Sequence, residues 1–464
     1  MRYHPIIRSL AVIFTVAMAS CTEQIQFGNS FLEKAPGGDV PADTVFNSAE
    51  YTQQFLTGIY ALQYYGLPYK TGDGNSHSYF SGQIEGMSDC WHVPTSAVGG
   101  LYNNIYNGFL QASKGNSVYG FTEEENWTLI RRAWMLIEHV DQVPGLDEST
   151  KARYQAEAKC LIASTYFNML RFYGGLPLVT HSYQVNGDLH DTNRASVDKT
   201  VNFIIQLFDE AINSQAMPWT YSADEASTMT AHWTTAAAMA MKCKVLQYAA
   251  SPLFNDSQPY YQGKYTMESA AQDSMVWYGG SPQWVVVRMS DIYLTYAEAL
   301  LQADGNNTKA IEYVDKVRAR VGLGDIASCN PTENLKTDKE QLLEEILRER
   351  ACELGFENTR FFDMQRYKRA DLFSRTLHRL VIHRMVKDDS GNWVTTTNKW
   401  YDGDRRTAKK GTAAWYEPSH FTYERPAITV GARVWWEGFD VKWYLFPFPQ
   451  SEVLKGYLVQ NPGW

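Results

Sequence analysis

Cysteine is sparse, basic residues never gather into a run, and beyond the first twenty positions no stretch is apolar for long enough to cross a bilayer. Each shortage closes off a class of protein. The six cysteines of the 464-residue chain match neither a zinc-site spacing nor a dense disulfide framework. Five lie beyond the N-terminal segment (Cys90, Cys160, Cys243, Cys329 and Cys352), and an odd count cannot pair completely. They read as mainly buried thiols, with Cys90 and Cys329, both in loops, as the pair open to a bridge. The formal net charge of -9, with basic residues scattered along helical patterns, excludes nucleic acid as a partner. The ten histidines show no HExxH or other metal-ligand spacing. Asp388 with Asp389, and Asp402 with Asp404, could offer loop oxygens to calcium, but the EF-hand order of ligands is missing. No glycine-rich phosphate loop and no Gly-x-Ser-x-Gly elbow occurs. Neither a metal nor a cofactor is expected.

What is present is a large apolar fraction, 44%, enough to bury a sizeable core as one large domain. Aromatics reach 14%, with 29 Tyr and 14 Trp. Most of these serve to pack helices together, and the remainder suit flat, partly apolar ligands such as sugar rings.

The N-terminus is the first informative segment. Arg2 and Arg8 precede a short apolar run from Leu10 to Ala19, too brief to span a bilayer. It ends in Met18-Ala19-Ser20-Cys21, which looks like a bacterial lipobox, although Met18 stands where Leu is commoner. Residues 1–20 would then be a lipoprotein signal peptide and Cys21 the lipidated first residue. Residues 21–47 would be a tether and extended segment. Acyl chains contribute about 0.8 kcal/mol per buried methylene, so several chains hold a protein body firmly to a membrane surface. Thr22 rather than Asp follows Cys21, and the Gram-negative sorting rule then favours the outer membrane.

Helical periodicity dominates the rest. Ala158, Leu161, Ile162, Thr165, Tyr166, Met169 and Tyr173 recur at steps of three and four, and Gly174-Gly175 supplies a stop. Trp127, Ile130, Trp134, Ile137 and Asp141 step similarly until Pro144-Gly145, so the two segments form a helical hairpin. A second pair runs from Met289 through Ile292, Tyr293, Tyr296, Ala297 and Leu300 to Gly305, then through Ala310, Val314, Val317 and Val321 to Gly322. Thr337 and Glu340 suggest a capping box before a helix with Leu343, Ile346, Leu347 and Leu354 on one side. Further helices are predicted at 48–65, 98–115, 197–215 and 232–250. Such helix pairs resemble tetratricopeptide repeats, interrupted by long loops at 66–97, 216–231, 252–286 and 374–442. The fold class is therefore mainly α, a tetratricopeptide-like helical-pair scaffold with long irregular loops and a few short β-hairpins. One of these hairpins turns at Asp388–Asn392.

Six segments in order resemble the SusD/RagB family. They are Phe31–Pro36; Phe172–Val179 (FYGGLPLV); Ser251–Asn255 (SPLFN); Arg288–Ala299 (RMSDIYLTYAEA); Glu349–Met364 (ERACELGFENTRFFDM); and the C-terminal LFPFPQSE with QNPGW. The resemblance extends over nearly the whole chain and makes 48–464 a single SusD-like domain. Glu349, Arg350, Glu353, Glu357, Arg360 and Asp363 alternate charge at near-helical steps, as in an ion-paired network joining a helix to neighbouring loops. Trp464 reads as a plug against the core.

The resemblance implies an outer-membrane, cell-surface lipoprotein that sits over a SusC-type TonB-dependent transporter. It would trap an oligosaccharide, or a peptide as in the RagB branch, and catalyse nothing. Sugar recognition uses aromatic faces for the apolar side of the ring and polar groups at its edge. The positions matching the family's ligand loops offer Trp91, Trp277 and Tyr278 as stacking faces and Asp89 as an edge acceptor. Tyr260, Tyr261 and Asn255 stand behind them. A glycosidase would instead need two facing carboxylates about 5 to 9.5 Å apart, and no pairing in the sequence singles them out.

Overall fold

A computed structural model describes residues 45–63, 85–90, 111–112, 124–183, 193–222, 229, 231–254, 286–355, 357–387, 389–399, 421–429 and 433–464. Among the described residues the long elements are helical: α1 (Ala49–Tyr60), α2 (Glu124–His139), α3 (Glu148–Tyr173), α4 (Val197–Asn213), α5 (Thr235–Ala249), α6 (Met289–Asp304), α7 (Asn307–Arg320), α8 (Lys339–Glu353) and α9 (Arg360–Arg366). The predicted helix at 98–115 lies almost wholly outside them.

Local signals account for most helix ends. Ser48, Asp147, Ser196, Thr234 and Asn306 each accept a backbone N–H of the first turn, the side-chain cap that satisfies an otherwise orphaned donor. Gly305 closes α6 in the left-handed conformation that glycine enters freely. The α8 cap differs from the expected capping box. Asp338, not Thr337, accepts from Glu340 N and Gln341 N, because the Thr337 hydroxyl is turned back toward the Asn334 carbonyl.

The helices pack in sequence order: α2 on α3, α3 on α4, α4 on α5, then α6 on α7 and α6 on α8. Helix α3 is the axis of the first group, with every residue of its predicted apolar stripe buried. In α2 the buried stripe is Leu129, Ala133 and Leu136 together with Ile130, and Val140 continues it in the 3-10 turn that follows. The predicted Trp127, Trp134 and Ile137 flank it half-buried, and Asp141 is exposed. The tryptophans lie there because each can meet a neighbour at its edge: Trp134 donates to the Val179 carbonyl (2.9 Å), and Trp127 packs edge-on to Tyr166.

Two large apolar cores, and a small cluster of Ala240, Val287 and Ile292, result among the described residues. The larger joins α1 to α5 with Phe361, Phe362 and Met364 of α9 and with Trp435, Tyr444, Phe446, Phe448 and Leu458 from the C-terminal segment. The smaller is built by α6, α7 and α8 around Leu294, Ala297, Val314 and Ile346. Val321, expected on the buried face of α7, is instead 55% exposed, because the helix ends at Arg320, one residue before it.

The hairpin at 388–392 is present. Strands β1 (Val381–Lys387) and β2 (Trp393–Lys399) pair antiparallel, and β3 (Phe421–Glu424) pairs with the other edge of β1, giving the order β2-β1-β3. Of the five cysteines, only Cys160 and Cys243 are buried; Cys90, Cys329 and Cys352 are exposed, and none of the five is in a disulfide. The bridge considered between Cys90 and Cys329 is therefore not formed. Trp464 docks rather than plugs: its indole N–H donates to the Lys442 and Leu445 carbonyls, and its ring remains half-exposed.

Candidate functional site

The charged motif supplies the seam between the two cores. Arg350 of α8 donates to Asp363 (2.8 Å) and to Asp291 (3.1 Å), while Arg366 of α9 bonds Asp363 (2.8 Å) and both oxygens of Glu298 (2.5 and 2.7 Å). Lys244 of α5 completes the set at 2.8 Å from Asp291. Three cations thus face three carboxylates, all but the half-buried Lys244 fully enclosed. Gln247, Thr295, Ser251 and Tyr367 take up further bonding sites of the same groups. Buried charges require such pairing, since an unpaired one costs several kcal/mol, on the order of 3–5 when one partner is removed. Every carboxylate in the seam is engaged by a cation, which gives the set a packing role between the cores.

Burial by itself would raise the Asp291 pKa, but Lys244 and Arg350 outweigh it and bring the carboxyl to about 2. Asp363 is also held below the usual carboxylate range, burial being overcome by Arg350 and Arg366. A depressed folded-state pKa contributes stability that is complete above the unfolded value, about 4. That stability is lost as pH falls through the folded value. The melting temperature is accordingly expected to hold steady down to about pH 5 and to drop steeply between about pH 4 and about pH 2. Thermal melts followed by circular dichroism check this, and Asp291→Asn should flatten the slope. An equally steep fall in that variant would show that other carboxylates carry the effect.

From this seam two further contacts reach the segments that carry the candidate ligand residues. A single turn of 3-10 helix at Glu85–Met87 leads to Ser88 and Asp89. Met87 and Ser88 are fully buried, and the Arg433 guanidinium donates to the carbonyls of Gly86 (2.9 Å) and Ser88 (2.6 Å). Asp89 accepts two parallel bonds from Arg360, at 2.7 and 2.8 Å, with its side chain only 6% exposed. Burial would raise this carboxyl, yet Arg360 holds it below the usual range. Asp89 thus binds a protein cation with both oxygens, whereas the sequence suggests an edge acceptor for ligand. At the entry to α6, Arg288 donates from Nε to both oxygens of Glu357 (2.8 and 2.9 Å) and from its terminal nitrogens to the carboxylate and carbonyl of Glu353 and to Ser290. Phe254, where α5 runs out, is held through Leu253 N–H to the Arg366 carbonyl (2.9 Å).

Asp89 is the one candidate ligand residue among those described. Trp91, Trp277, Tyr278, Tyr260, Tyr261 and Asn255, like the lipidation candidate Cys21, lie outside them. Sequence reasoning overlooked the anchoring arginines Arg288 and Arg433. The charge alternation flagged Arg360, but its partner is 271 positions away, beyond any spacing rule. A surface cavity of about 290 Å³ lined by Ser328, Pro331, Asn334, Lys336 and Thr337 involves none of the candidate residues. Among the described residues no group of three or more His, Cys, Asp or Glu is placed to hold a metal ion, and no helix is long and apolar enough to cross a membrane.

Comparison with known proteins agrees with this architecture. A SusD-like protein of Bacteroides ovatus is 27% identical over 188 residues, covering 38% of this chain. The match spans 28% of that relative's own length. Among solved structures, a SusD-like protein from Bacteroides fragilis superposes with a TM-score of 0.61 at 18% identity, over 93% of this chain and 100% of the other. A laminarin-binding SusD-like protein superposes with a TM-score of 0.55 at 18% identity, over 90% and 100%. At such identity these superpositions establish the shared helical fold alone. The model of the SusD family matches residues 217–464, more than half of the chain, from α5 through the charged seam to the terminal Trp464. By that match and by the helical-pair scaffold it runs through, the chain belongs to the SusD family.

Proposed function

We propose that this protein is a lipid-anchored receptor on the outer face of the outer membrane, held through Cys21. In this reading it binds oligosaccharide noncovalently and passes it to a SusC-type TonB-dependent transporter, with no reaction of its own. Residues 1–20 are the signal peptide, 21–47 the tether and 48–464 the binding body. Trp91, Trp277 and Tyr278 serve as stacking faces, with Tyr260, Tyr261 and Asn255 beside them. Asp89 contributes through Arg360 by holding the segment from which Trp91 emerges.

The observation that carries this reading is that the roots of two aromatic loops, at 85–90 and at 286–288, are both fixed to the stretch that ends α8 and begins α9. Loops so rooted can present rings side by side, which is what a sugar chain requires. Support from relatives is of the same kind, since one SusD-like protein of this fold binds laminarin.

The test is equilibrium binding of the parent chain to soluble polysaccharides and to peptides, by affinity electrophoresis and calorimetry. Base–aromatic and sugar–aromatic stacking are comparable contacts, and loss of one such face costs about 1–3 kcal/mol. Trp91→Ala and Trp277→Ala are therefore each expected to weaken glycan binding by about 5- to 150-fold. Parent-like affinity in both variants would show the platform to be elsewhere. Selective binding of peptides would move the protein to the RagB-like reading.

A further inference from the structure

We infer that Glu353, Glu357 and Arg360 form one positioning clamp that sets the relative placement of the segments at 85–90 and 286–288, and so governs affinity without touching the ligand. This rests on the capture reading above and goes beyond it by naming residues that no binding platform would include.

The geometry of the clamp is unusual in its economy of sequence. Glu353 is the last residue of α8, Arg360 the first of α9, and Glu357 lies in the turn between them. Glu353 and Glu357 receive Arg288, ten residues after Tyr278 in the sequence. Arg360 receives Asp89, two residues before Trp91. Two loops nearly two hundred residues apart in the sequence are therefore tied to one turn. Arg360 is itself fixed on a third side by the Leu347 carbonyl of α8 (3.3 Å), and Glu353 also takes Arg320 of α7 at 2.6 Å. The turn is held in an uncommon backbone state: Asn358 is buried with φ +55°, a conformation that asparagine tolerates better than most residues.

The type of contact matters. Exposed ion pairs hold little and many contribute nothing measurable, whereas a paired fork of guanidinium to carboxylate fixes both distance and orientation. Asp89 and Arg360 are 6% and 11% exposed, and both Arg360 and Arg288 meet a carboxylate with two bonds. Burial would lower the Arg360 pKa, but Asp89 more than offsets it, and Asp89 in turn is lowered. The Asp89–Arg360 pair therefore stays charged throughout the physiological range, whereas burial raises the Glu357 carboxyl despite its bonds to Arg288.

The experiment uses the full chain with Arg360→Lys and Arg288→Lys, which keep the charge and remove the fork. A reversed pair, Asp89→Arg with Arg360→Asp, restores opposite charges across the first contact. Binding is measured to soluble polysaccharides, laminarin among them, and hydrogen–deuterium exchange is followed in the ligand-free protein at 85–90 and 286–288. With melting temperatures near that of the parent, each lysine variant is expected to bind about tenfold more weakly, the scale of coupling from residues outside a ligand site. Each should also raise exchange at both loop roots, including the one it does not touch, and the reversed pair should recover part of the affinity. Unchanged affinity, or exchange that rises only at the contact removed, overturns the clamp. A parent that binds neither glycan nor peptide overturns the capture reading instead, and the exchange at the two roots then decides the clamp by itself.

Discussion

Arg366→Ala is expected to destabilise the folded chain by about 3–5 kcal/mol, the cost of leaving a buried carboxylate without its directly bonded cation. Arg366 is 2% exposed and donates to Glu298, Asp363 and Ser251, so its removal affects α5, α6 and α9 together. Asp363 retains Arg350, but Glu298 is left with Gln247 and Tyr367 alone, neither of which carries positive charge. Urea denaturation followed by far-ultraviolet circular dichroism measures the loss. A useful contrast is Arg348→Ala, which removes an arginine 49% exposed and paired with Glu345 on its own helix. That change is expected to cost about 0–1 kcal/mol. If the two variants unfolded at the same urea concentration, the seam would not be holding the two cores together.

Gly175→Ala is expected to cost about 3 kcal/mol, the upper end of what overpacking usually does, because the obstacle is backbone and cannot rotate away. A Cβ at this position would lie 2.2 Å from the Ala195 carbonyl oxygen and 2.9 Å from the Ser196 carbonyl carbon. Ser196 caps α4, so relief of the clash would pull the cap from Lys199 N–H. It would also strain Arg194, which donates to the carbonyls of Gly175 (2.8 Å) and Val459 (2.6 Å) and to the Asn461 side chain (2.7 Å), tying the exit of α3 to the C-terminal segment. Gly58→Ala provides the control. Its Cβ would meet nothing within 4 Å, and alanine favours a helix over glycine by about 1 kcal/mol. The same denaturation measurement should therefore move in opposite directions for the two glycines. A Gly175→Ala protein as stable as the parent would mean that α3 and α4 can separate at this point without cost.

The helices were legible because their determinants are local. The stripe Ala158–Tyr173 repeats at steps of three and four, Gly174 and Gly305 stop the chain where it must leave the helix, and Asp388–Asn392 turns a hairpin. Where the reading slipped, the decision belonged to neighbours. Val321 fits the helical pattern, but it follows the last residue of α7 and is left exposed, and Cys90, Cys329 and Cys352 are small apolar residues on segments that the packing leaves outside. Thr337 and Asp338 are both competent caps, and the competing bond of Thr337 to the Asn334 carbonyl selects Asp338.

The candidate site divides in the same manner. Alternating charge from Glu349 to Asp363 announces an ion-paired network, since charges at helical spacing seek partners. It does not announce which partners. Asp89 and Arg360 are 271 residues apart, Arg433 and Ser88 are separated by 345, and Arg194 reaches Asn461 across 267. By itself the amino-acid sequence determined the helix pairs, most of their ends and the family, because periodicity and capping act within one or two turns and family motifs are read residue by residue. Only the tertiary structure decided that two arginines and two glutamates would bring the roots of distant loops to one turn. Buried charges choose among all the carboxylates that packing brings within reach, and that choice is made between surfaces, not between neighbours in the chain.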